Sequence, residues 1–306
     1  MYVWKDRRGL SVRTASLDLT TGKLVPHSND TSEQFIRSRG RPAWSSDGKH
    51  LAYQSCNGLG GGPCALLTWS LESGIVKELP TPVKYQQGFN WSPDGRFLIT
   101  AGEDFRGRRG IYRIDAETGD SSPVMLSDAM HPQWAPDGRS IYYRQSGPRD
   151  TLVLMQHDLS SGTDREVLKT PADTAGFLVS PDGRLVAYSA RDGARTVQVI
   201  PFNGGNVRVL LEAAAPEDIY PMSWTPDSGA LLVLKMRDGN PTQLWLTPVS
   251  GETPRRIEGD ISKWTRDGGV RLSPDGTKVT FVHAAGEPGS EIWALETFLT
   301  ALSGKK

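Results

Sequence analysis

Six aspartates in nearly identical turn motifs are the residues of this sequence that most suggest chemistry. Each follows a large apolar residue and a short polar turn, as in Trp-Ser-Pro-Asp-Gly at 91–95. A loop carboxylate can act as a general acid or base or bind a metal ion, so a repeated Asp raises the question of a catalytic role. The six residues are Asp47, Asp94, Asp137, Asp182, Asp227 and Asp275.

The spacing of these aspartates favours a structural role. Successive copies lie 43 to 48 residues apart, and a period of roughly 40–50 residues with short strands is typical of propeller blades. One Asp per blade would place the six at distant positions around a ring. In the turn, Pro fixes φ, Asp bonds nearby amides and Gly adopts the left-handed conformation, while the preceding Trp buries an apolar face between blades.

A second turn recurs about half a unit after the first. Its glycines are Gly22, Gly74, Gly119, Gly162, Gly205 and Gly251. Apolar runs of strand length separate the two kinds of turn, and no segment shows a helical period over roughly 11 residues. Each unit therefore reads as four short antiparallel strands, a to d, with tight a–b and c–d turns.

The sequence predicts one all-β domain, 1–306, folded as a β-propeller of four-stranded antiparallel blades. A partial first blade at 1–30 is followed by blades at about 41–80, 88–126, 131–170, 176–212, 221–258 and 270–299. Seven b–c hairpins favour seven blades, the first lacking its inner strand and the last its outer strand. Six blades are the alternative. Because the chain starts at a b strand, we expect an upstream domain of the same protein.

These motifs resemble those of the TolB-type, WD-repeat-like family of bacterial β-propellers. The resemblance covers nearly the whole chain and rests on turns such as WSPDGR at 91–96 and DAETG at 115–119. It implies a non-enzymatic scaffold that binds a protein or peptide partner, in the periplasm or secreted. It also suggests that the chain is the C-terminal propeller of a larger protein. The alternative is a regulatory propeller of a larger kinase- or peptidase-type protein.

Charge and hydropathy exclude two classes of partner. Lys and Arg number 35 and Asp and Glu also number 35, whereas a general nucleic-acid binder normally has a basic surplus. The apolar runs are far shorter than the roughly 18 residues of a membrane helix. The first residues also lack the pattern of a signal peptide. We expect no nucleic-acid binding and no membrane insertion.

The two cysteines, Cys56 and Cys64, flank a Gly-rich loop between two apparent strands. If those strands form a hairpin, the thiols face each other and a disulfide is geometrically plausible. Two reduced, packed thiols are the alternative. A zinc site is not expected, because no pair of histidines lies nearby.

The sequence lacks the common catalytic motifs. It contains no Gly-x-Ser-x-Gly, no His-Glu-x-x-His and no phosphate-binding Gly-Lys-Ser/Thr, so we expect no enzyme activity, no metal and no cofactor. A lyase, lactonase or glycosidase with a site in the channel is the enzymatic alternative. It would have to use Glu217, Asp218, Asp260 and His131.

The candidate binding residues lie where each inner strand a enters the central channel. Propellers usually bind peptides or small molecules at this mouth, because its loops are held on a rigid ring. His131, three residues before Trp134, is the most suggestive, and aromatic or basic residues occupy the corresponding segments of other units. The predicted set is Arg41, Tyr85, Phe89, His131, Phe177, Tyr220, Trp264 and Arg271.

Overall fold

The chain forms six four-stranded antiparallel sheets and one two-stranded sheet in the part that the structure describes. The computed structural model describes residues 2–6, 9–27, 42–56, 64–192, 194–261, 264, 269–285 and 290–294. The six sheets are the blades of an all-β propeller, which confirms the predicted fold class. None of these residues belongs to a helix long and apolar enough to cross a bilayer.

Three strands precede the first blade, and five blades then follow, each made of consecutive strands. The three strands are β1 (Tyr2–Asp6), β2 (Gly9–Asp18) and β3 (Lys23–Pro26). Blade 1 contains β4 (Ala43–Trp44), β5 (His50–Cys56), β6 (Cys64–Ser70) and β7 (Val76–Leu79). Blade 2 contains β8 (Lys84–Trp91), β9 (Phe97–Glu103), β10 (Arg109–Asp115) and β11 (Ser121–Met125). Blade 3 contains β12 (Met130–Trp134), β13 (Ser140–Gly147), β14 (Thr151–Asp158) and β15 (Asp164–Pro171).

The next two blades have the same organisation. Blade 4 contains β16 (Ala175–Val179), β17 (Leu185–Asp192), β18 (Ala194–Pro201) and β19 (Arg208–Ala213). Blade 5 contains β20 (Glu217–Trp224), β21 (Ala230–Arg237), β22 (Asn240–Pro248) and β23 (Arg255–Arg256). In each of these blades the repeated Asp-Gly turn joins strands a and b, and the second Gly turn joins c and d.

Blade 6 is assembled from both ends of the chain. The C-terminal part supplies β24 (Val270–Leu272) and β25 (Lys278–Ala285), and the N-terminal part supplies β2 and β3. β2 and β25 pair antiparallel from Gly9 opposite Ala285 to Ser16 opposite Lys278. Hydrogen bonds between strands from the two ends of the chain therefore close the ring.

The ring consequently has six blades, the alternative count, and the preferred count of seven is corrected. The predicted partial blade at 1–30 and the predicted last blade at 270–299 are parts of one blade. The c–d turn missing from the C-terminal part is the Gly22 turn between β2 and β3. Strand β1 is not one of the four strands of blade 6. It pairs with β26 (Ser290–Ala294) in a separate two-stranded sheet.

The core lies between neighbouring blades, so the central sheets are covered on both faces. In β21, every residue from Ala230 to Leu234 is buried, because a strand packed on both faces is apolar in a continuous run rather than in alternation. The junction of blades 5 and 6 shows how closure is stabilised. There Ala15, Leu17 and Leu24 pack in one cluster with residues such as Leu232 and Phe281.

The two cysteines occupy opposite positions at the end of the β5–β6 ladder. Cys56 is the register partner of Cys64, and the Cys64 sulfur is disulfide-bonded. This is the arrangement expected from two strands pairing across the Gly-rich loop. The Cys56 side chain itself lies outside the described residues.

Candidate binding site in the central channel

The repeated turns form a contacting ring around one end of the channel. The motif glycine of each of four turns faces the proline of the preceding blade's turn, with blade 1 following blade 6. The pairs are Gly48 with Pro274, Gly138 with Pro93, Gly183 with Pro136 and Gly276 with Pro226. A Cβ on Gly276 would lie 3.3 Å from Pro226, and its φ of 74° favours glycine. The motif therefore packs blade against blade as well as turning the chain.

The motif Asp is engaged in its own turn. In all six copies its Oδ1 accepts the backbone N–H two residues later, at 2.9–3.1 Å. In five copies it also accepts a Ser or Thr hydroxyl two residues earlier, at 2.5–2.6 Å. Blade 3 is the exception, because Ala135 occupies the hydroxyl position. These carboxylates accept hydrogen bonds within their own turns, so the repeated Asp has a structural role.

The hydroxyl bonds also stabilise the ionised carboxylates. The hydroxyl bond is the main cause that lowers the pKa of Asp94, Asp182, Asp227 and Asp275 below the usual value. At Asp47, burial opposes this effect, but the bonds from Ser45 and from the Lys49 amide outweigh it and its pKa is also lowered. A carboxylate held ionised by its own turn is poorly suited to donate a proton at neutral pH.

The variant Ser92→Ala tests this coupling between turn and charge. It removes the hydroxyl that bonds Asp94, so we expect a loss of about 1 kcal/mol in the free energy of unfolding at pH 7. Because the pKa of Asp94 is lowered on folding, its contribution is complete above the unfolded pKa and disappears as pH falls through the folded pKa. Urea unfolding at pH 7 and pH 3 should show a smaller loss at pH 3. Equal losses at both pH values would contradict the coupling of the Ser92 hydroxyl to the Asp94 charge. The control is Ser146→Ala, because Ser146 is exposed and lies outside the turn.

The motif tryptophans join neighbouring blades by hydrogen bonds as well as by packing. The indole N–H of Trp44 donates to the Arg271 carbonyl at 3.0 Å. Trp91 donates in the same way to Ala43 at 3.1 Å and Trp224 to Leu178 at 3.0 Å. In each case the acceptor is the residue before the motif's apolar position in the preceding blade. The indole nitrogen of Trp134 has no such acceptor among the described residues.

The residues just before the motif's apolar position line the channel. They are Ala43, Asn90, Gln133, Leu178, Ser223 and Arg271. The polar ones bond the backbone of the next or preceding blade: Gln133 donates to the Phe177 carbonyl at 2.6 Å, and Asn90 accepts the Trp134 amide at 2.6 Å. Arg271 donates to the Met222 carbonyl. Inter-blade bonds thus fix the channel wall in position.

Two cavities of about 520 and 290 Å³ lie in the channel. The larger is bounded by the ring of repeated turns, and the smaller lies where the inner strands enter. They adjoin, because both are lined by Phe89, Asn90, Gln133, Leu178, Met222 and Arg271. The smaller cavity is the candidate binding site, since it opens toward the loops where the sequence placed the binding residues.

Five of the eight predicted binding residues line the smaller cavity. They are Phe89, His131, Phe177, Tyr220 and Arg271. Their contact with a ligand stays a prediction. Trp264 lines neither cavity: it is 5% exposed and stacks on Phe281 at 4.1 Å between ring centroids, so it is a core residue. Arg41 and the Tyr85 side chain lie outside the described residues.

The structure corrects which residues are equivalent between blades. His131 has a φ of 51°, and three of its counterparts three residues before the motif's apolar position are Gly88, Gly176 and Gly269, with φ of 67°, 70° and 60°. In blade 5 the same position is Pro221. Three predicted binding residues of these blades, Phe89, Phe177 and Arg271, lie one or two residues closer to the motif than His131 does. A left-handed backbone costs a residue other than glycine about 1–2 kcal/mol. His131 thus stands in a position where three blades have glycine.

Arg144 is a cavity residue that the sequence analysis missed. It lies on β13, opposite Met130 of the inner strand, and lines the smaller cavity beside His131. Sequence reasoning considered only inner strands, whereas Arg144 belongs to strand b. The only signal was a charged residue at the end of the apolar run Ile141–Tyr143.

The acids of the enzymatic alternative are held apart from the cavities. Asp218 pairs with Arg195 at 2.6 Å, and Glu217 pairs with Lys235 at 3.8 Å and with Arg237 at 3.3 Å. Neither these two acids nor Asp260 lines either cavity. Within the described ranges, no cluster of three or more His, Cys, Asp or Glu side chains could hold a metal ion.

Comparisons with known proteins agree with this geometry. The family described as the TolB beta propeller domain matches residues 18–218. The Tol-Pal system protein TolB of Francisella tularensis subsp. mediasiatica is 24% identical over 233 residues, which are 73% of this chain and 51% of that protein. The chain spans about half the length of the curated relatives it matches.

Solved structures show the same fold. The structure of a putative TolB from Agrobacterium tumefaciens has a TM-score of 0.67 at 18% identity and covers 92% of this chain and 99% of that one. An oligogalacturonate lyase in complex with manganese has a TM-score of 0.57 at 15% identity, covering 90% and 76%. Identities this low establish the fold and leave the activity open.

Proposed function

Since the chain belongs to the TolB β-propeller family, we propose that it is a non-enzymatic scaffold that binds a protein or peptide partner at the mouth of its channel. We also propose a bacterial periplasmic location, in line with the family resemblance. The observation that carries the proposal is the smaller cavity, which combines aromatic walls with a rigid ring. Cell fractionation that finds the native protein in the cytoplasm would reject the periplasmic location.

The walls of this cavity suit the recognition of a protruding segment. Phe89 and Phe177 form part of the lining and are 8% and 4% exposed. Tyr220 is partly buried at the same cavity and offers a ring with a polar hydroxyl, a combination enriched in interfaces. Because the wall is fixed by inter-blade hydrogen bonds, little ordering is needed on binding.

Partner capture with two point variants tests the scaffold function. The protein would be immobilised, exposed to an envelope extract of the source bacterium, and the captured partner purified for calorimetric titration. We expect Tyr220→Ala to weaken that binding at least tenfold, about 1.4 kcal/mol. Ile75→Ala is the control, because Ile75 is 65% exposed, lies in the c–d turn of blade 1 at the end opposite the mouth and lines neither channel cavity.

Two results would contradict this proposal, the first by rejecting the channel mouth as the site and the second by rejecting the scaffold function. One is equal binding by wild type and Tyr220→Ala, which would place the interface elsewhere. The other is turnover of a defined substrate in the absence of any captured partner. Oligogalacturonate is the substrate to assay first, with and without Mn²⁺, because a lyase for it shares this fold.

A further inference from the structure

Three basic side chains line the smaller cavity. His131 comes from β12, Arg144 from β13 and Arg271 from β24. Blades 3 and 6 face each other across a six-bladed ring, so these groups approach from opposite sides. None of the described residues that line the cavity is Asp or Glu. This basic lining belongs to a chain whose formal net charge is zero, so the positive charge is local.

Two of these residues are constrained, Arg271 by hydrogen bonds from its side chain and His131 by its backbone conformation. Arg271 donates through Nη1 to the Val270 carbonyl at 3.1 Å and to the Met222 carbonyl, which fixes its guanidinium at the wall. His131 has the left-handed conformation that three other blades give to glycine. A residue held in an unfavourable conformation at a cavity points to a function for its side chain.

We propose that this cavity binds a carboxylate group of the partner, with His131, Arg144 and Arg271 as the groups that contact it. The proposal deepens the scaffold function and rests on it. Guanidinium groups bind carboxylates through paired, charge-assisted hydrogen bonds. The volume of about 290 Å³ suits one acidic side chain, because it lies at the lower limit of small-molecule pockets, roughly 300 Å³.

The test compares three probes by calorimetric titration at constant ionic strength. They are tetraglutamate with blocked ends, tetraglutamine with blocked ends, and inorganic phosphate. We expect tetraglutamate to bind at least tenfold more tightly than tetraglutamine and than phosphate. Equal binding of the two peptides would overturn the proposal, and tighter binding of phosphate would overturn the choice of a carboxylate.

Variants locate the binding in the cavity. His131→Gly should weaken tetraglutamate binding at least tenfold while the melting temperature stays the same or rises, because glycine fits the left-handed backbone. A purely structural role for His131 would instead lower the melting temperature and leave binding intact. Arg144→Gln should also weaken binding tenfold. If Arg144→Gln fails to fold, His131→Gly decides the outcome.

A surface arginine controls for general charge effects. Arg184→Gln removes one positive charge from a side chain that is 84% exposed and lies outside both cavities. We expect it to change tetraglutamate binding less than twofold. An equal loss in Arg184→Gln and Arg144→Gln would show non-specific attraction and overturn the proposal.

Failure of this site can be distinguished from failure of the scaffold function. A purified partner that binds wild type and His131→Gly equally, but loses affinity for Tyr220→Ala, would retain the scaffold function and reject the carboxylate site. Tetraglutamate binding that depends on His131, without a macromolecular partner in the capture experiment, would retain the site and reject the scaffold function.

Discussion

Deletion of residues 2–26 is expected to abolish the folded ring. The deletion removes β2 and β3, which are two of the four strands of blade 6. It also removes Leu17 and Leu24, which are 3% and 6% exposed in the cluster between blades 5 and 6. Each buried Leu contributes about 2–5 kcal/mol, and a domain's whole stability is about 5–15 kcal/mol. Calorimetry should show no cooperative unfolding transition, and light scattering should show aggregation through the exposed edge of β25.

A shorter deletion serves as the control for this experiment. Removing residues 2–6 deletes β1, which pairs with β26 and is not one of the four strands of blade 6. We expect this variant to keep a cooperative transition. Leu17→Asp in the chain without any deletion gives an independent test. It puts a charge into the closing cluster, so we expect it to lower the melting temperature. A native melting temperature for the 2–26 deletion would contradict closure through β2 and support a separate N-terminal unit.

The repeated turns were predictable because each is determined by its own few residues. Pro, Asp and Gly fix the local backbone, so motif and spacing together identify blades without any tertiary information. Closure of the ring is different, because Thr280 bonds the carbonyl of Arg13, 267 positions earlier. No local signal encodes such a pairing. The usable clue was a c–d turn at Gly22 with no a–b turn before it, and a last unit that lacked a c–d turn.

The sequence predicted where the candidate site lies, but it did not predict all the residues that line it. Irregular strand register explains part of the difference: β12 shifts between Met130 and Gln133, and β16 between Ala175 and Leu178. A shift of one residue exchanges the two faces of a strand, so counting from the motif could not assign side chains to the channel. The recurrence of Gly88, Gly176 and Gly269 at one position would have located the bulge. Arg144 depended on a neighbouring strand, which a motif-based search did not examine.

Replacement of Trp224 by Ala is expected to lower the free energy of unfolding by about 3–5 kcal/mol. Trp224 is 7% exposed and packs with Leu231 and Val233 at the junction of blades 4 and 5. Its indole N–H also bonds the Leu178 carbonyl across that junction at 3.0 Å. At about 2 °C per kcal/mol for a large domain, the melting temperature should fall by roughly 6–10 °C in calorimetry.

Two Trp→Phe variants separate packing from the hydrogen bond. Both Trp224→Phe and Trp134→Phe remove an indole and keep an aromatic ring, but the Trp134 indole N–H has no acceptor among the described residues. Trp224→Phe should therefore cost about 1 kcal/mol more than Trp134→Phe, the net value of one hydrogen bond. The Trp224→Phe variant also leaves the Leu178 carbonyl without its indole donor. Equal losses would show that the tryptophans join the blades by packing alone, because the common change in ring volume would then explain both variants.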